Sequence, residues 1–184
     1  MWIDGDVGFK GEDVVRLLRA NRHVVAGVYP LKSDGWPRSG LTEALPAGTT
    51  RADFQAHFAT YPAIMRDGGT EPDKDGFLDV LFAPTGFMLI RREVFLALME
   101  QFPELHCRLH MKDREDHDDG VLASFHYAFF GTLIDPQTRS YLSEDYAFCR
   151  LIESIGIAPA IDTRSDLSHQ GVAVFRGDFA RGLE

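Results

Sequence analysis

The stretch that most limits the fold is "WIDGDVGFKGEDVVRLLRANRHVVAGVYP", because its hydrophobic period changes twice. Trp2 and Ile3 are apolar and run at once into Asp4-Gly5-Asp6. Val14, Val15, Leu17 and Leu18 then recur at helical spacing behind Glu12 and Asp13, which a helix N-terminus favours. "HVVAGVYP" returns to a short continuous apolar run, closed by Pro30. Strand, helix, strand is the rhythm of a sheet flanked by helices, and it predicts an α/β fold with a mixed, mostly parallel sheet. In such sheets ligands sit beyond the carboxyl ends of strands, which is where Asp4 and Asp6 fall.

The remaining punctuation is uneven. From Lys32 to about Asp79 prolines and glycines predict long loops, with a short helix in "TRADFQAHFATYPAIM". "LDVLFAPTGFMLI" is nearly continuous apolar sequence broken by "APTG", and "RREVFLALMEQF" follows as an amphipathic helix ended by Pro103. A His-rich passage precedes "SFHYAFFGTLID", read as a strand or hairpin arm. In "SEDYAFCRLIESIG" Ser143 suits an N-cap, Glu144 and Asp145 the first turn, and Gly156 the stop. The end of the chain reads as one more strand and then a loop carrying His169.

Composition narrows the function classes. The 184 residues are 45% hydrophobic and 26% charged, the balance of a soluble protein with one core, so residues 1–184 are read as a single domain. A net charge of −9 argues against a general nucleic-acid or anionic-membrane surface. An acidic chain that handles a phosphorylated ligand needs a metal to offset repulsion. Cys107 and Cys149 follow no disulfide pattern and predict free thiols in a reducing, cytoplasmic setting. No apolar run approaches the roughly 20 residues that span a bilayer.

Each candidate motif has a chemical and a plain reading. Asp4 and Asp6 could offer oxygens to a hard divalent cation, or simply be solvated turn carboxylates. Asp145, with Glu144, could face a site as a general base, or only complement the helix dipole. His169 could be structural, or an imidazole ligand of a kind manganese accepts. "EPDKDGFLD" imitates a calcium loop through Asp73, Asp75 and Gly76, but Phe82 stands where that loop requires Glu. His106, Cys107, His110 and His117 lie close together without the spacing of a zinc site.

Taken in order, "WIDGDVGF", "VVAGVYPLK", "PTGFMLIRREVF", "YLSEDYAFCR" and "LSHQG" resemble the catalytic half of glycosyltransferases with the A-type fold, family-2-like members above all. The resemblance implies a partial A-type fold and transfer of a sugar from a nucleoside diphosphate-sugar to a hydroxyl acceptor. It implies that Asp4 and Asp6 hold a divalent cation, Mn2+ or Mg2+, that bridges the donor diphosphate, and that His169 completes the metal site. Asp145 matches the acidic residue that deprotonates the acceptor, and Glu144 would place the acceptor or orient that base. Thr85 and Gly86 match a loop that lets substrate approach the backbone; Pro84 stands where a second glycine is expected.

In that family the Asp-x-Asp strand follows a nucleotide-binding half. The chain is therefore expected to be N-terminally truncated, or completed by another polypeptide. Its first strand is expected to be central in the complete fold, with an open edge through which chains associate. Two other classes compete. "WIDGDVGF" also resembles the first motif of haloacid-dehalogenase-like phosphatases, with Asp4 as nucleophile and Asp6 as acid, but Gly8 stands where Thr or Val is wanted. The third class is a non-catalytic remnant that binds a sugar or a partner.

Overall fold

The chain is built around a strand buried on both faces. A computed structural model describes residues 1–33, 45–68, 71–108 and 124–180. In chain order the first half holds β1 (Trp2–Ile3), β2 (Val7–Gly8), α1 (Gly11–Ala20), β3 (Val24–Gly27), α2 (Arg51–Phe58) and β4 (Ile64–Met65). Then come β5 (Phe77–Phe82), β6 (Phe87–Ile90), α3 (Arg92–Gln101), β7 (Leu133–Ile134) and β8 (Tyr141–Leu142). The last elements are α4 (Glu144–Ser154), β9 (Ala160–Asp162), β10 (Ser168–Gln170) and β11 (Val174–Arg176).

Strand β3 is the buried one. Val24, Ala26 and Val28 pack towards α3 and α4 with Leu98, Phe148 and Ile152. Val25 and Tyr29 pack on the other face, with Leu17 of α1, Phe87 and Leu167. Gly27 has no room for a side chain, since a Cβ there would stand 2.7 Å from Leu167 and 2.8 Å from Phe87. The result is a mixed α/β layering with helices on both sides of the sheet.

The main sheet has the order β1-β6-β3-β9-β5-β4. It is mixed, as expected, but it is not mostly parallel. Among the described residues only β3 and β9 pair in parallel, and the neighbours β1–β6, β6–β3, β9–β5 and β5–β4 are antiparallel. The apolar runs misled because burial on both faces makes a strand continuously apolar whichever way its neighbour points. β1 is an edge strand with Trp2 48% exposed, which leaves the open edge expected of it. "SFHYAFFGTLID" supplies only β7, paired with β8, and a lone bridge from Tyr127 to His106.

His169 departs most from expectation: it lies in a strand, not a loop. β10 is the middle of a second, antiparallel sheet of order β11-β10-β2. No helix among the described residues is long and apolar enough to cross a membrane.

A buried ion pair locks α1 to this frame. Asp162, fully buried at the end of β9, takes Arg16 Nε at 2.7 Å and Nη2 at 2.6 Å, and accepts the Arg164 N–H at 3.0 Å. The fork-on-carboxylate geometry is what arginine does best. Replacing Arg16 by Met leaves the Asp162 charge buried with only a backbone donor. Urea denaturation of Arg16→Met should show a loss of about 3 kcal/mol, the cost of orphaning one member of a buried pair.

Candidate active site

One rim of the main sheet collects the chemistry. Asp4 follows β1, Tyr29 follows β3, and Gly86 precedes the reversed strand β6, so the three sit at the same end. The Asp4 N–H donates to the Gly86 carbonyl at 2.8 Å and carries the β1–β6 ladder one step further. Gly86 is buried, and a Cβ there would stand 2.4 Å from the Tyr29 hydroxyl and 2.9 Å from Asp4 Oδ2. The position has to be glycine because the protein's own phenol and carboxylate fill that space. Thr85, next to it, is half-buried.

The second sheet carries His169 to Asp6. In the β2–β10 pairing His169 lies opposite Val7, and the Gln170 N–H donates to the Asp6 carbonyl at 2.8 Å. His169 Nε2 stands 3.6 Å from Asp6 Oδ2, while Nδ1 lies 3.0 Å from the Pro30 carbonyl. A carbonyl only accepts, so Nδ1 carries the proton, and in the neutral ring Nε2 presents its lone pair towards Asp6. That is the arrangement seen behind metal-ligating histidines, where a second-shell acceptor fixes the tautomer. The Lys32 ammonium reaches the same Asp6 Oδ2 at 2.5 Å, and this bond, foremost, holds the Asp6 carboxyl below its ordinary range.

Asp4 does not join them closely. Among the described residues no group of three His, Cys, Asp or Glu side chains is near enough to hold one ion. Asp6 and His169 are brought together, and Asp4 sits on the same turn with its carboxylate towards Gly86 and Tyr29.

Asp145 enters from α4. It occupies the helix's first turn and is half-buried, with Glu144 exposed beside it. Ser143 takes the N-cap position but makes no cap hydrogen bond; its hydroxyl donates to Asp145 Oδ1, which also accepts the Tyr146 N–H at 2.9 Å. Oδ1 is thereby anchored, and among the described residues Oδ2 takes no donor.

Tyr29 registers where these groups point. Burial, foremost, with Asp4, Asp145 and Asp6 pushing the same way, lifts its hydroxyl to about 12. The Asp4 carboxylate and the Tyr29 hydroxyl both crowd the space beside Gly86. His169 packs edge-on against the same ring, centroids 5.0 Å apart.

Reading the sequence by motif missed Tyr29, the Pro30 carbonyl and Lys32, although "VYPLK" lies directly beyond a buried strand's carboxyl end. The calcium-like stretch serves a turn instead. Asp73 Oδ1 accepts the N–H groups of Asp75 at 3.0 Å and Phe77 at 2.9 Å, with Gly76 at φ +87° leading into β5. His106 packs on Tyr127, whereas His110 and His117 lie outside the described residues. Both cysteines are free thiols; Cys149 is buried, which pushes it up to about 12, and Cys107 is half-buried. Comparison with protein-family models, curated proteins and solved structures finds no match to this chain.

The Tyr29 environment has a pH signature. Its folded value lies above the unfolded value of 10, so the folded state keeps a proton that the unfolded chain loses. The associated stability is complete below pH 10 and is lost as pH rises towards about 12. Denaturant titrations across this range should show a downward slope that Tyr29→Phe reduces. The residual slope belongs to groups such as Cys149, whose loss begins one unit lower, at 9.

Proposed function

We propose that the chain is the catalytic part of a metal-dependent glycosyltransferase of the A-type fold, moving a sugar from a nucleoside diphosphate-sugar to a hydroxyl acceptor. The reading is carried by one observation: Asp4, the Asp6–His169 pair and Tyr29, from β1's following turn, β10 and the end of β3, crowd one rim of the sheet. The order of motifs adds the family. Asp6 and His169 suit a cation, because a lone pair and a carboxylate oxygen 3.6 Å apart face each other with the histidine tautomer already set. Asp4, whose carboxylate faces Gly86 and Tyr29, would supply a further oxygen only after turning towards Asp6. A divalent cation held there would lend Lewis acidity to a departing diphosphate.

The chain's own residues do the rest. Asp145 accepts the acceptor's proton on Oδ2, while Ser143 and the Tyr146 N–H hold Oδ1 and so fix the carboxylate plane. Glu144, exposed at the edge of the same turn, is placed to orient the acceptor. Tyr29 stays neutral at physiological pH, so it adds no charge to a rim already crowded with carboxylates. Gly86 fixes Asp4 through its carbonyl.

The test is Mn2+-dependent release of nucleoside diphosphate from a panel of UDP- and GDP-sugars with hydroxyl acceptors. Asp145→Asn should cut turnover at least about a hundredfold, as for removal of a general base, and leave diphosphate binding intact. Equal loss of binding and turnover would mark Asp145 as a structural carboxylate. No release with any donor would overturn the transferase reading.

A further inference from the structure

We infer that Lys32 holds the cation's place at Asp6, and that when a divalent cation binds there its ammonium passes to the phosphate oxygens of the diphosphate. The inference rests on the metal-dependent reading above. It starts from a single oxygen. Asp6 Oδ2 lies 2.5 Å from Lys32 Nζ and 3.6 Å from His169 Nε2. Lys32 Nζ is thus the nearer of the two groups on that oxygen, and it brings a full positive charge. A cation held by Asp6 and His169 needs that same oxygen. It would meet the ammonium as a like charge at close range, and the two cannot both stay.

The displaced ammonium has a short tether. The backbone on either side is tied down by Leu31 N–H to Thr60 O and Ser33 N–H to Leu31 O, both at 2.7 Å. The side chain runs past Gly171, where a Cβ would stand 3.3 Å from Lys32 Cδ, so a glycine leaves the stem its path. Among the described residues Lys32 is the one lysine or arginine paired with any of Asp4, Asp6 and Asp145. A diphosphate bound on the cation brings its anionic oxygens within the reach of this side chain. Lysine suits such an exchange: it is a point charge on a flexible stem that can change partners without a fixed geometry.

Calorimetric titration of the 184-residue chain with MnCl2 alone, and with UDP and GDP at saturating Mn2+, tests both halves. Lys32 is well exposed, so Lys32→Met should fold normally. The variant should bind Mn2+ alone up to about fivefold more tightly, the scale of an exposed ion pair removed from competition. It should bind the preferred diphosphate about tenfold more weakly, the scale of one charge-assisted hydrogen bond. Lys32→Arg keeps the charge and should bind the preferred diphosphate near wild type, while its planar fork on Asp6 should make Mn2+ alone bind no more tightly than wild type. Unchanged or weaker Mn2+ binding in Lys32→Met, with wild type binding the ion, overturns the Lys32 inference alone. Unchanged diphosphate affinity, or no diphosphate binding by wild type, overturns the transfer of the ammonium to phosphate. Absence of Mn2+ binding in both proteins removes the metal reading and this inference with it.

Discussion

The pairing of β2 with β10 is the constraint on which the site depends. β2 is only Val7–Gly8, far too short to persist alone, and Asp4-Gly5-Asp6 before it is an exposed turn. What fixes that turn is a ladder to a strand late in the chain: Ser168 opposite Gly8, His169 opposite Val7, and the Gln170 N–H on the Asp6 carbonyl. A Cβ on Gly8 would stand 2.5 Å from the Ser168 hydroxyl, so the close register itself requires glycine. Because side chains alternate along a strand, a one-residue slip would turn His169 away from Asp6. The imidazole and the carboxylate meet through backbone hydrogen bonds rather than through attraction for each other.

The opposite wall is set by packing. Tyr29, Gly86 and Asp4 are interlocked: the phenol fills the space of an absent side chain, and the neighbouring carbonyl holds the Asp4 backbone. The Asp4 carboxylate is held beside this phenol, where burial already disfavours ionisation of the tyrosine. Holding a carboxylate against a packed wall carries a cost in folding, of the kind the proposed chemistry would call for. The cost is offset elsewhere, by the doubly buried β3 and by the aromatic stack of Phe130 on Phe148 against α4.

Much of this was legible in the residues. The helices α1, α3 and α4 follow directly from apolar spacing, and α4 ends where Gly156 adopts φ +79°. The strands at "VVAG", "FLDVLF" and "FMLI" were legible as apolar runs, but their directions were not. Direction is decided by which strand each run meets across the sheet, and β5 and β6, adjacent in sequence, are separated by β9 and β3. His169 was legible as a candidate and illegible as a strand residue, because β10 gains its partners from residues far away in the chain. The part played by Gly86 was legible only as a close approach, for a similar reason. A glycine's identity says that something approaches closely, and only the fold says that it is Tyr29.

Two ion pairs differ in how firmly the chain holds them. Asp162 is fully buried and meets Arg16 through two parallel bonds, a geometry that only a guanidinium supplies and that is expensive to break. Asp6 is 44% exposed and meets Lys32 through one oxygen, with His169 Nε2 3.6 Å from the same atom. An exposed single contact of that kind is worth little and is screened by salt, so another cation can replace it at small cost. The arginine pair sits where α1 must remain fixed to the sheet. The lysine pair sits at the rim, on the turn that a ligand would reach first, so the choice of basic residue follows whether the contact has to last.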